Sequence, residues 1–195
     1  MKDYKLIRNF INKEEHNSLI NWINENQSNF LFNNNGGHQS KFTRLTDFPK
    51  SWNGCDVTDG HMRKESRKCD IAIPNIITQL KQKVIKQFDF LNEATECDIF
   101  VCLYNSNSYV NMHKHFTQEG LKDLRFNLIV KQPNIGGYLV CEGGKVNLKP
   151  KVKDLCAFNG NNLHGVTTHT GDRWVLSFGF QVPKDTSFTK DISFI

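Results

Sequence analysis

The stretch LRFNLIV, residues 124–130, alternates apolar and polar side chains, which is typical of a β-strand with one buried face. Two further runs are strand signals without this alternation: DIFVCLY at 98–104 is a short apolar run bounded by turn residues, and WVLSFGF at 174–180 is the last strong strand signal. Shorter runs of this kind occupy residues 138–141, 146–148 and 155–158. Gly, Asn and Pro separate the runs and mark turns. Roughly eight short strands at this close spacing predict an all-β sandwich or barrel.

Two amphipathic helices are predicted ahead of these strands. Asn12 followed by Glu15 forms a candidate capping box, and the apolar residues after it fall on one helical face. Pro74 is placed to be the first helical residue of a second helix, whose apolar positions continue to Phe88. Helices in this position would pack on one face of the strands, so we predict a mostly β, α+β fold.

The length of 195 residues predicts a single domain, residues 1–195. Within it we expect a helical and mixed part over about 1–95, a strand-rich core over about 96–182, and a tail at 183–195. The 15 Phe, 4 Tyr and 3 Trp supply enough core material to exclude a disordered chain. The longest apolar run, 99–104, is far shorter than the roughly 20 residues that a membrane-spanning helix needs.

Charge and cysteine usage favour a cytoplasmic protein. The 25 Lys and Arg against 20 Asp and Glu give a formal charge of +5, which permits an acidic partner without requiring one. The six cysteines form no CxxC pair, which argues against a zinc ribbon, and in a chain of this size they are expected to be reduced, mostly buried thiols. A disulfide framework is the alternative. The N-terminus shows no apolar segment of a signal peptide.

Three of the seven histidines form a pattern that suggests a metal site. His113 and His115 are separated by one residue, so on a strand both side chains would point to the same face. His164 follows the strand at 155–158 and could lie opposite them in a barrel. Three neutral imidazoles suit Fe, Zn, Cu or Ni, and an open coordination position would make the site catalytic. The alternative is a pair of exposed strand histidines. We expect the remaining histidines to be surface or capping residues: His16, His38, His61 and His169.

Arg173 is the candidate anion-binding residue. It begins the strand at 174–180, and a guanidinium that points into a barrel needs a negative partner because burying it unpaired is costly. A ligand carboxylate could bind this fork bidentately. The alternative is a surface ion pair between Arg173 and one of three acidic residues, Asp172, Asp154 or Glu142.

These segments, taken in order, resemble a known family. YNSNSYVNMHKH at 104–115 is similar to the metal-binding segment of the Fe(II)/2-oxoglutarate-dependent oxygenases, in their prolyl-4-hydroxylase-like branch. The likeness covers about residues 70–182. It continues through RFNLI at 125–129, GGYL at 136–139, KP at 149–150, LCAF at 155–158, LHGV at 163–166 and GDRW at 171–174.

The resemblance implies a fold, a set of site residues and a reaction. The fold is a double-stranded β-helix, or jelly roll. His113 and His164 match metal ligands, and Arg173 matches the residue that binds the far carboxylate of 2-oxoglutarate. Tyr104 matches a position that often faces this cosubstrate, and Ser177 could share the contact. The implied cofactors are Fe(II) and 2-oxoglutarate, and the implied reaction is hydroxylation with release of succinate and CO2.

The chain departs from the family at the second metal ligand, where the usual Asp or Glu is His115. A neutral ligand leaves the metal more positive, which should strengthen binding of an anionic cosubstrate and weaken retention of the metal. Two alternatives stay open. His115 could turn away, with water or a carboxylate such as Glu119 or Asp123 in its place. The protein could also have lost oxygenase chemistry and kept only binding.

The sequence leaves three classes of function and several substrates open. The first class is an active hydroxylase-type oxygenase; the others are a three-His metal enzyme that does not use 2-oxoglutarate and a non-catalytic binding module. The substrate is open among a peptidyl residue, an amino acid and a nucleobase, so the partner is a protein, a peptide or a nucleic acid, with no membrane. Arg125, Arg63 and Arg67 are the candidate substrate-binding residues. The alternative for the basic segment around Arg63 is a solvated loop.

Overall fold

Fifteen β-strands and two α-helices lie in the part of the chain that this computed structural model describes, residues 4–33, 40–47, 50–55, 71–144, 146–186 and 188. The helices are α1 (Lys13–Asn26) and α2 (Asn75–Gln87). In chain order the strands are β1 (Tyr4–Ile7), β2 (Leu31–Asn33), β3 (Ser40–Arg44), β4 (Trp52–Cys55), β5 (Glu96–Tyr104), β6 (Val110–His113), β7 (His115–Thr117), β8 (Leu121–Lys131), β9 (Ile135–Gly136), β10 (Leu139–Cys141), β11 (Val146–Leu148), β12 (Leu155–Asn159), β13 (His164–Val166), β14 (His169–Thr170) and β15 (Arg173–Pro183).

The strands form two main sheets and two short pairs. The larger sheet has seven antiparallel strands in the order β1-β12-β8-β15-β5-β3-β2. The smaller sheet has four strands in the order β11-β10-β13-β6, and β14-β9 and β4-β7 are separate pairs. Because most neighbouring strands are far apart in sequence, with β2–β3 and β10–β11 as consecutive pairs, the order follows a jelly roll rather than a series of hairpins.

The two faces of the larger sheet bury different partners. Alternate residues of β8 and β15, such as Phe126 and Phe178, join the helices in the main apolar core. The opposite face, here called the inner face, packs against the smaller sheet through a second cluster that includes Cys156, Phe158 and Leu139. The fold is therefore a mostly β jelly roll with N-terminal helices on one outer face, and this confirms the predicted fold class.

Both helices are placed by their apolar faces and end signals. The predicted capping box is present: the Asn12 side chain accepts the backbone N–H of Glu15 at 2.8 Å, and the Glu15 carboxylate accepts the backbone N–H of Asn12 at 2.8 Å. Helix α1 buries Leu19 and Ile23 in the main core. Pro74 was predicted to be the first helical residue of α2; it is instead the N-cap, and the helix begins one position later at Asn75. This is a shift of a single residue at a helix end.

Replacing Asn12 by Ala is expected to lower the free energy of unfolding by about 1 kcal/mol, because the backbone N–H of Glu15 loses its acceptor. Urea unfolding followed by circular dichroism measures this change. Asn21→Ala is the matched control, because Asn21 is an exposed residue within the same helix. An equal loss of stability in the two variants would contradict the role of the capping box.

The N-terminal part shares one core with the strand-rich part. β1 pairs with β12 along four residues, and β3 pairs with β5 along five. These strands were not predicted from the sequence. Phe188, from the predicted tail, lies 6.1 Å from Phe88 between ring centroids. The three-part division of the single domain stays a prediction, and strands from both sides of residue 95 belong to the same sheet.

The described cysteines are free thiols: Cys97, Cys102, Cys141 and Cys156. The last three are buried, and burial raises the pKa of Cys102 to about 11. No disulfide joins these four cysteines. Among the helices that the structure describes, none is both long and apolar enough to cross a membrane.

Candidate metal centre

Three histidines converge between the two sheets. His113 ends β6 and His164 begins β13, and the two are direct partners in the pairing of those strands. His115 begins β7 on the other side of Lys114. One ring nitrogen from each of the three lies within 4.8 Å of the others. The pair was predicted to share a strand; instead the strand breaks at Lys114, and the two rings still meet.

Backbone carbonyls fix the rings of His113 and His164. Nδ1 of His113 is 2.8 Å from the carbonyl oxygen of Asn111, and Nδ1 of His164 is 2.8 Å from that of Asn162. A carbonyl only accepts hydrogen bonds, so each Nδ1 carries the proton and each Nε2 keeps its lone pair. The two imidazoles are therefore held in the tautomer that a metal ligand requires.

A carboxylate fixes the ring of His115 in the same way. Its Nδ1 lies 2.5 Å from Oδ2 of Asp123, which is completely buried. Its Nε2 lies 3.3 Å from Nε2 of His113. With both Nδ1 atoms protonated, two lone pairs face each other across this gap, and a cation placed between them would relieve the repulsion. The donor set therefore fits a divalent transition metal.

Asp123 belongs to a buried chain of alternating charges. Its carboxylate accepts Arg125 Nε at 2.6 Å and Gln181 Nε2 at 3.0 Å. Arg125 also donates from Nη1 to Asp98 at 2.9 Å, and Asp98 in turn pairs with Arg44. Each of the four charged side chains is at most 6% exposed. The charges of two arginines and two aspartates cancel, so this row of four buried side chains next to the histidines has no net charge.

Gly179 leaves room for the Arg125 guanidinium. The two residues are partners in the pairing of β15 with β8. A Cβ at position 179 would lie 2.6 Å from Arg125 Cζ, closer than side-chain atoms approach one another. A larger residue at 179 would therefore displace the cation that joins Asp123 to Asp98.

The pKa values follow from this burial. Desolvation lowers the pKa of His164 well below its ordinary value, and the neighbouring His113 and His115 lower it further. Burial alone would raise the pKa of Asp123. The adjacent Arg125 guanidinium and the His115 contact outweigh it, and the pKa of Asp123 lies below its ordinary value. His164 is thus neutral and Asp123 ionised near pH 7.

Arg173 lies on the inner face, at the start of β15. The residue is only 3% exposed, and its guanidinium lies 5.5 Å from the ring centroid of Tyr104. Among the residues that the structure describes, no carboxylate forms an ion pair with it. Burial accordingly lowers the pKa of Arg173. An anionic ligand would supply the missing partner.

The surface ion pair considered as the alternative for Arg173 is not formed. Asp172 pairs with Lys131 at 2.9 Å, and Asp154 pairs with Arg8 at 2.6 Å. Two of the three candidate partners are therefore engaged elsewhere, and among the described residues no ion pair joins the third, Glu142, to Arg173.

Two more polar atoms on the inner face have no partner. Ser177 and Asn127 are opposite one another where β15 pairs with β8. Ser177 Oγ and Asn127 Oδ1 are buried and form no hydrogen bond. Ser177 lies two alternation steps along β15 from Arg173, in the direction of Gly179 and Arg125. The inner face thus carries a buried cation and unused polar atoms along one line, which suits an elongated carboxylate.

A cavity of about 540 Å³ opens beside the histidines. It is lined by residues 116–122 and 184–186 together with Asn159, Asn161 and Asn162. Asn161 donates to the backbone carbonyl of His115 at 3.0 Å, so one residue of the cavity lining contacts the backbone of His115 directly.

Solved structures share this architecture. A prolyl-4-hydroxylase from Pseudomonas putida aligns over 93% of this chain and 94% of its own, with a TM-score of 0.63 and 14% identity. A Trichoplax adhaerens prolyl hydroxylase in complex with a hypoxia inducible factor peptide fragment aligns over 98% and 89%, with a TM-score of 0.64 and 15% identity. HygX from Streptomyces hygroscopicus, with nickel and 2-oxoglutarate bound, aligns over 98% and 87%, with a TM-score of 0.59 and 9% identity.

The chain shares its fold with these two prolyl hydroxylases and with HygX. No protein-family profile matches the chain. A search of curated proteins finds no match either. At identities of 9–17% the structural likeness concerns the fold. The role of each residue in this chain therefore rests on its own contacts.

Within this fold, the predicted site residues divide into three groups. His113, His115 and His164 come together, as do Arg173 and Tyr104. Arg125 is buried between Asp123 and Asp98, a packing that does not favour its predicted contact with substrate. The third group, with the rest of the basic segment, lies outside the described residues: Arg63 and Arg67, together with His38 and His61.

Two expectations about single residues need correction. His169 was expected to be a surface or capping residue; it is not at the surface, since it is only 2% exposed, and its Nδ1 contacts the carbonyl of Gly171 at 2.8 Å. It is buried because β14 passes under Tyr104, whose ring centroid is 6.5 Å away. Asp123 was considered as a replacement metal ligand; its carboxylate instead faces Nδ1 of His115, on the ring edge away from His113.

Sequence reasoning missed Asn127 and the role of Asp123. Asp123, Arg125 and Asn127 alternate along β8, so a strand assignment that began at 121 would have placed all three on the face opposite the apolar residues. Three consecutive polar positions on a buried face of a central strand are a usable signal for a site.

Proposed function

We propose that this chain is an Fe(II)- and 2-oxoglutarate-dependent oxygenase of the hydroxylase type. One observation carries the proposal: three convergent imidazole nitrogens and a buried, unpaired arginine share the space between the two sheets. The first feature suits a metal and the second suits a carboxylate. Their combination in an oxygenase fold favours this function over a binding module, which needs no metal position beside an anion pocket.

His113, His115 and His164 would hold the metal through Nε2. Their Nδ1 atoms are engaged by Asn111, Asp123 and Asn162, so no side-chain rotation is needed before binding. Fe(II) bound there would supply, with 2-oxoglutarate and O2, the oxidising power for hydroxylation, with release of succinate and CO2. The protein contributes a preorganised ligand set with coordination positions left for the cosubstrate and O2.

Arg173 would bind the far carboxylate of 2-oxoglutarate. Its guanidinium can donate two parallel hydrogen bonds to a carboxylate, and burial strengthens the attraction. Tyr104 limits the movement of the guanidinium by lying against it at 5.5 Å. Ser177 Oγ is free to donate to the same ligand.

The cavity beside His115 is the candidate substrate site, and we place a peptide there. The cavity lining includes the exposed apolar side chain of Phe116 and the amide side chains of Asn159 and Asn161. Met112 and Leu163, next to His113 and His164 in sequence, are also exposed apolar residues. A lining that combines an aromatic ring with amide groups suits a peptide, which offers both apolar side chains and backbone groups. Prolyl hydroxylases among the similar structures make a peptidyl residue the first class to test. The reduced thiols agree with the proposed cytoplasmic location.

Anaerobic titration of the full-length protein with Fe(II), then 2-oxoglutarate, tests the proposal. We expect a visible charge-transfer band that requires both components, and succinate once O2 is admitted. Metal binding without the band would instead support a three-His enzyme that does not use 2-oxoglutarate. Absence of metal binding would contradict the proposal and favour a non-catalytic module.

Replacing Ser177 by Ala is expected to raise the dissociation constant of 2-oxoglutarate about five- to tenfold, the effect of losing one hydrogen bond of about 1 kcal/mol. Because Oγ has no other partner, the unfolding temperature should stay nearly unchanged. Titration of the charge-transfer band measures the affinity. An unchanged dissociation constant would remove Ser177 from the cosubstrate pocket.

A further inference from the structure

A buried carboxylate lies directly behind the histidine that stands where the resembled family has an acidic ligand. Asp123 Oδ2 is 2.5 Å from His115 Nδ1, and Asp123 has no exposed surface. On the other side of the same ring, Nε2 faces His113 at 3.3 Å. The imidazole therefore stands between the carboxylate and the proposed metal position.

We propose that Asp123 is a positioning residue that makes His115 a metal ligand, by fixing the orientation and tautomer of its ring from behind. The inference rests on the proposed metal site. A carboxylate that accepts Nδ1–H leaves the lone pair on Nε2 and makes this nitrogen a better donor to a metal. The ligand set thus has no carboxylate, and the carboxylate of Asp123 would act on the metal indirectly, through its hydrogen bond to the His115 ring.

The surroundings of Asp123 allow this role and oppose a direct one. Arg125 Nε and the His115 ring share Oδ2, at 2.6 and 2.5 Å, while Gln181 holds Oδ1 at 3.0 Å. The backbone N–H of Asp123 donates to the side chain of Asn161 at 2.7 Å. With both oxygens engaged, the carboxylate cannot swing past the ring to the metal position without leaving Arg125 buried and unpaired.

A glycine makes the contact possible. Gly160 donates to the backbone carbonyl of Asp123 at 2.7 Å and accepts the backbone N–H of His115 at 2.8 Å. A Cβ at this position would lie 2.8 Å from His115 Nδ1 and 3.0 Å from Asp123 Oδ2. Gly160→Ala would therefore wedge the two groups apart while leaving every charge in place.

Co(II) binding to the full-length protein tests the inference without any assay of turnover. The dissociation constant and the visible spectrum of bound Co(II) are measured for the wild type, Asp123→Asn and Gly160→Ala. We expect each variant to weaken Co(II) binding about 10- to 100-fold and to alter the spectrum, since a loosened outer partner changes ligand geometry.

Asp154→Asn is the matched control. Asp154 is also a buried aspartate that pairs with an arginine, Arg8, and accepts backbone N–H groups, from Asn9 and Lys151. It contacts none of the three histidines. We expect this variant to lose stability and to keep the wild-type Co(II) affinity and spectrum. A loss of affinity equal to that of Asp123→Asn would assign the effect to general destabilisation and overturn the inference.

A double-mutant cycle with His115→Asp isolates the contact. Asp at 115 has no ring to be oriented, so adding Asp123→Asn to it should change Co(II) affinity less than about twofold. An effect as large as in the wild-type background would overturn the inference.

Failure of the inference and failure of the proposed function give different results. A wild type that does not bind Co(II) overturns both. A wild type that binds Co(II), with Asp123→Asn and Gly160→Ala equal to it, overturns the role of Asp123 alone. If Asp123→Asn does not fold, Gly160→Ala decides by itself.

Discussion

Replacing Arg173 by Met is expected to weaken 2-oxoglutarate binding by about a hundredfold or more. Removal of one partner from a buried, hydrogen-bonded charge pair costs about 2–5 kcal/mol, and each 1.4 kcal/mol is about a factor of ten. In the variant the far carboxylate of the ligand would be buried against an apolar side chain. Titration of the Fe(II) charge-transfer band with 2-oxoglutarate under anaerobic conditions measures the change.

The same substitution should raise the thermal stability of the ligand-free protein. Arg173 is 3% exposed and has no acidic partner within the described part of the chain, so the folded state bears the cost of its desolvation. Met fills a similar volume without that cost. Higher stability together with lost affinity is the pattern of a residue kept for binding.

Arg173→Lys is the control for this prediction. It keeps the charge but loses the planar fork, so an intermediate affinity is expected. If Arg173→Met binds 2-oxoglutarate as the wild type does, Arg173 is a structural residue and the anion pocket lies elsewhere.

Replacing His164 by Ala is expected to abolish stable metal binding. Loss of a residue that only hydrogen-bonds to a metal ligand raises the dissociation constant up to about a hundredfold, so loss of a ligand itself should raise it further. His164 lies 4.2 Å from His113 and 5.0 Å from His115 between ring centroids, so it closes the ligand triangle. Two imidazoles that remain on one side cannot enclose a metal. Equilibrium dialysis with Fe(II), Co(II) or Ni(II) measures the loss.

His169→Ala is the matched control, because it also removes a buried imidazole and leaves a cavity of similar size. His169 is also a buried imidazole, 2% exposed, and its Nδ1 likewise contacts a backbone carbonyl two residues away. Both variants should lose similar stability, and only His164→Ala should lose the metal. Retention of metal by His164→Ala would remove this residue from the ligand set and reduce the proposed centre to His113 and His115.

Much of the architecture was predictable because it depends on local patterns. The alternation at 124–130 and the largely apolar run at 174–180 locate the two central strands, β8 and β15, and the Asn12–Glu15 spacing locates the start of α1. The strands β1 and β3 could not be found this way. They are short, and their place in the sheet comes from pairing with β12 and β5, more than 50 residues away in sequence.

The site was predictable in its residue types and less so in its geometry. His113, His115 and His164 stood out because three metal-binding side chains flanked strand signals, and their rings do converge. The break in the strand at Lys114 and the buried contact between His115 and Asp123 depend on long-range packing. No spacing rule along the sequence contains that information.

The space that Gly179 leaves for Arg125 has an evolutionary consequence. Any side chain at 179 would collide with the guanidinium, and loss of the guanidinium would strand Asp123 and Asp98 without a counter-charge. Neither position 179 nor position 125 can therefore be substituted alone without disrupting the buried ion pairs. In a lineage descended from this sequence, we expect Gly179 and Arg125 to be inherited as a pair. A bulkier residue at 179 should arise only after Arg125 has been replaced by a shorter residue and the two aspartates by neutral ones.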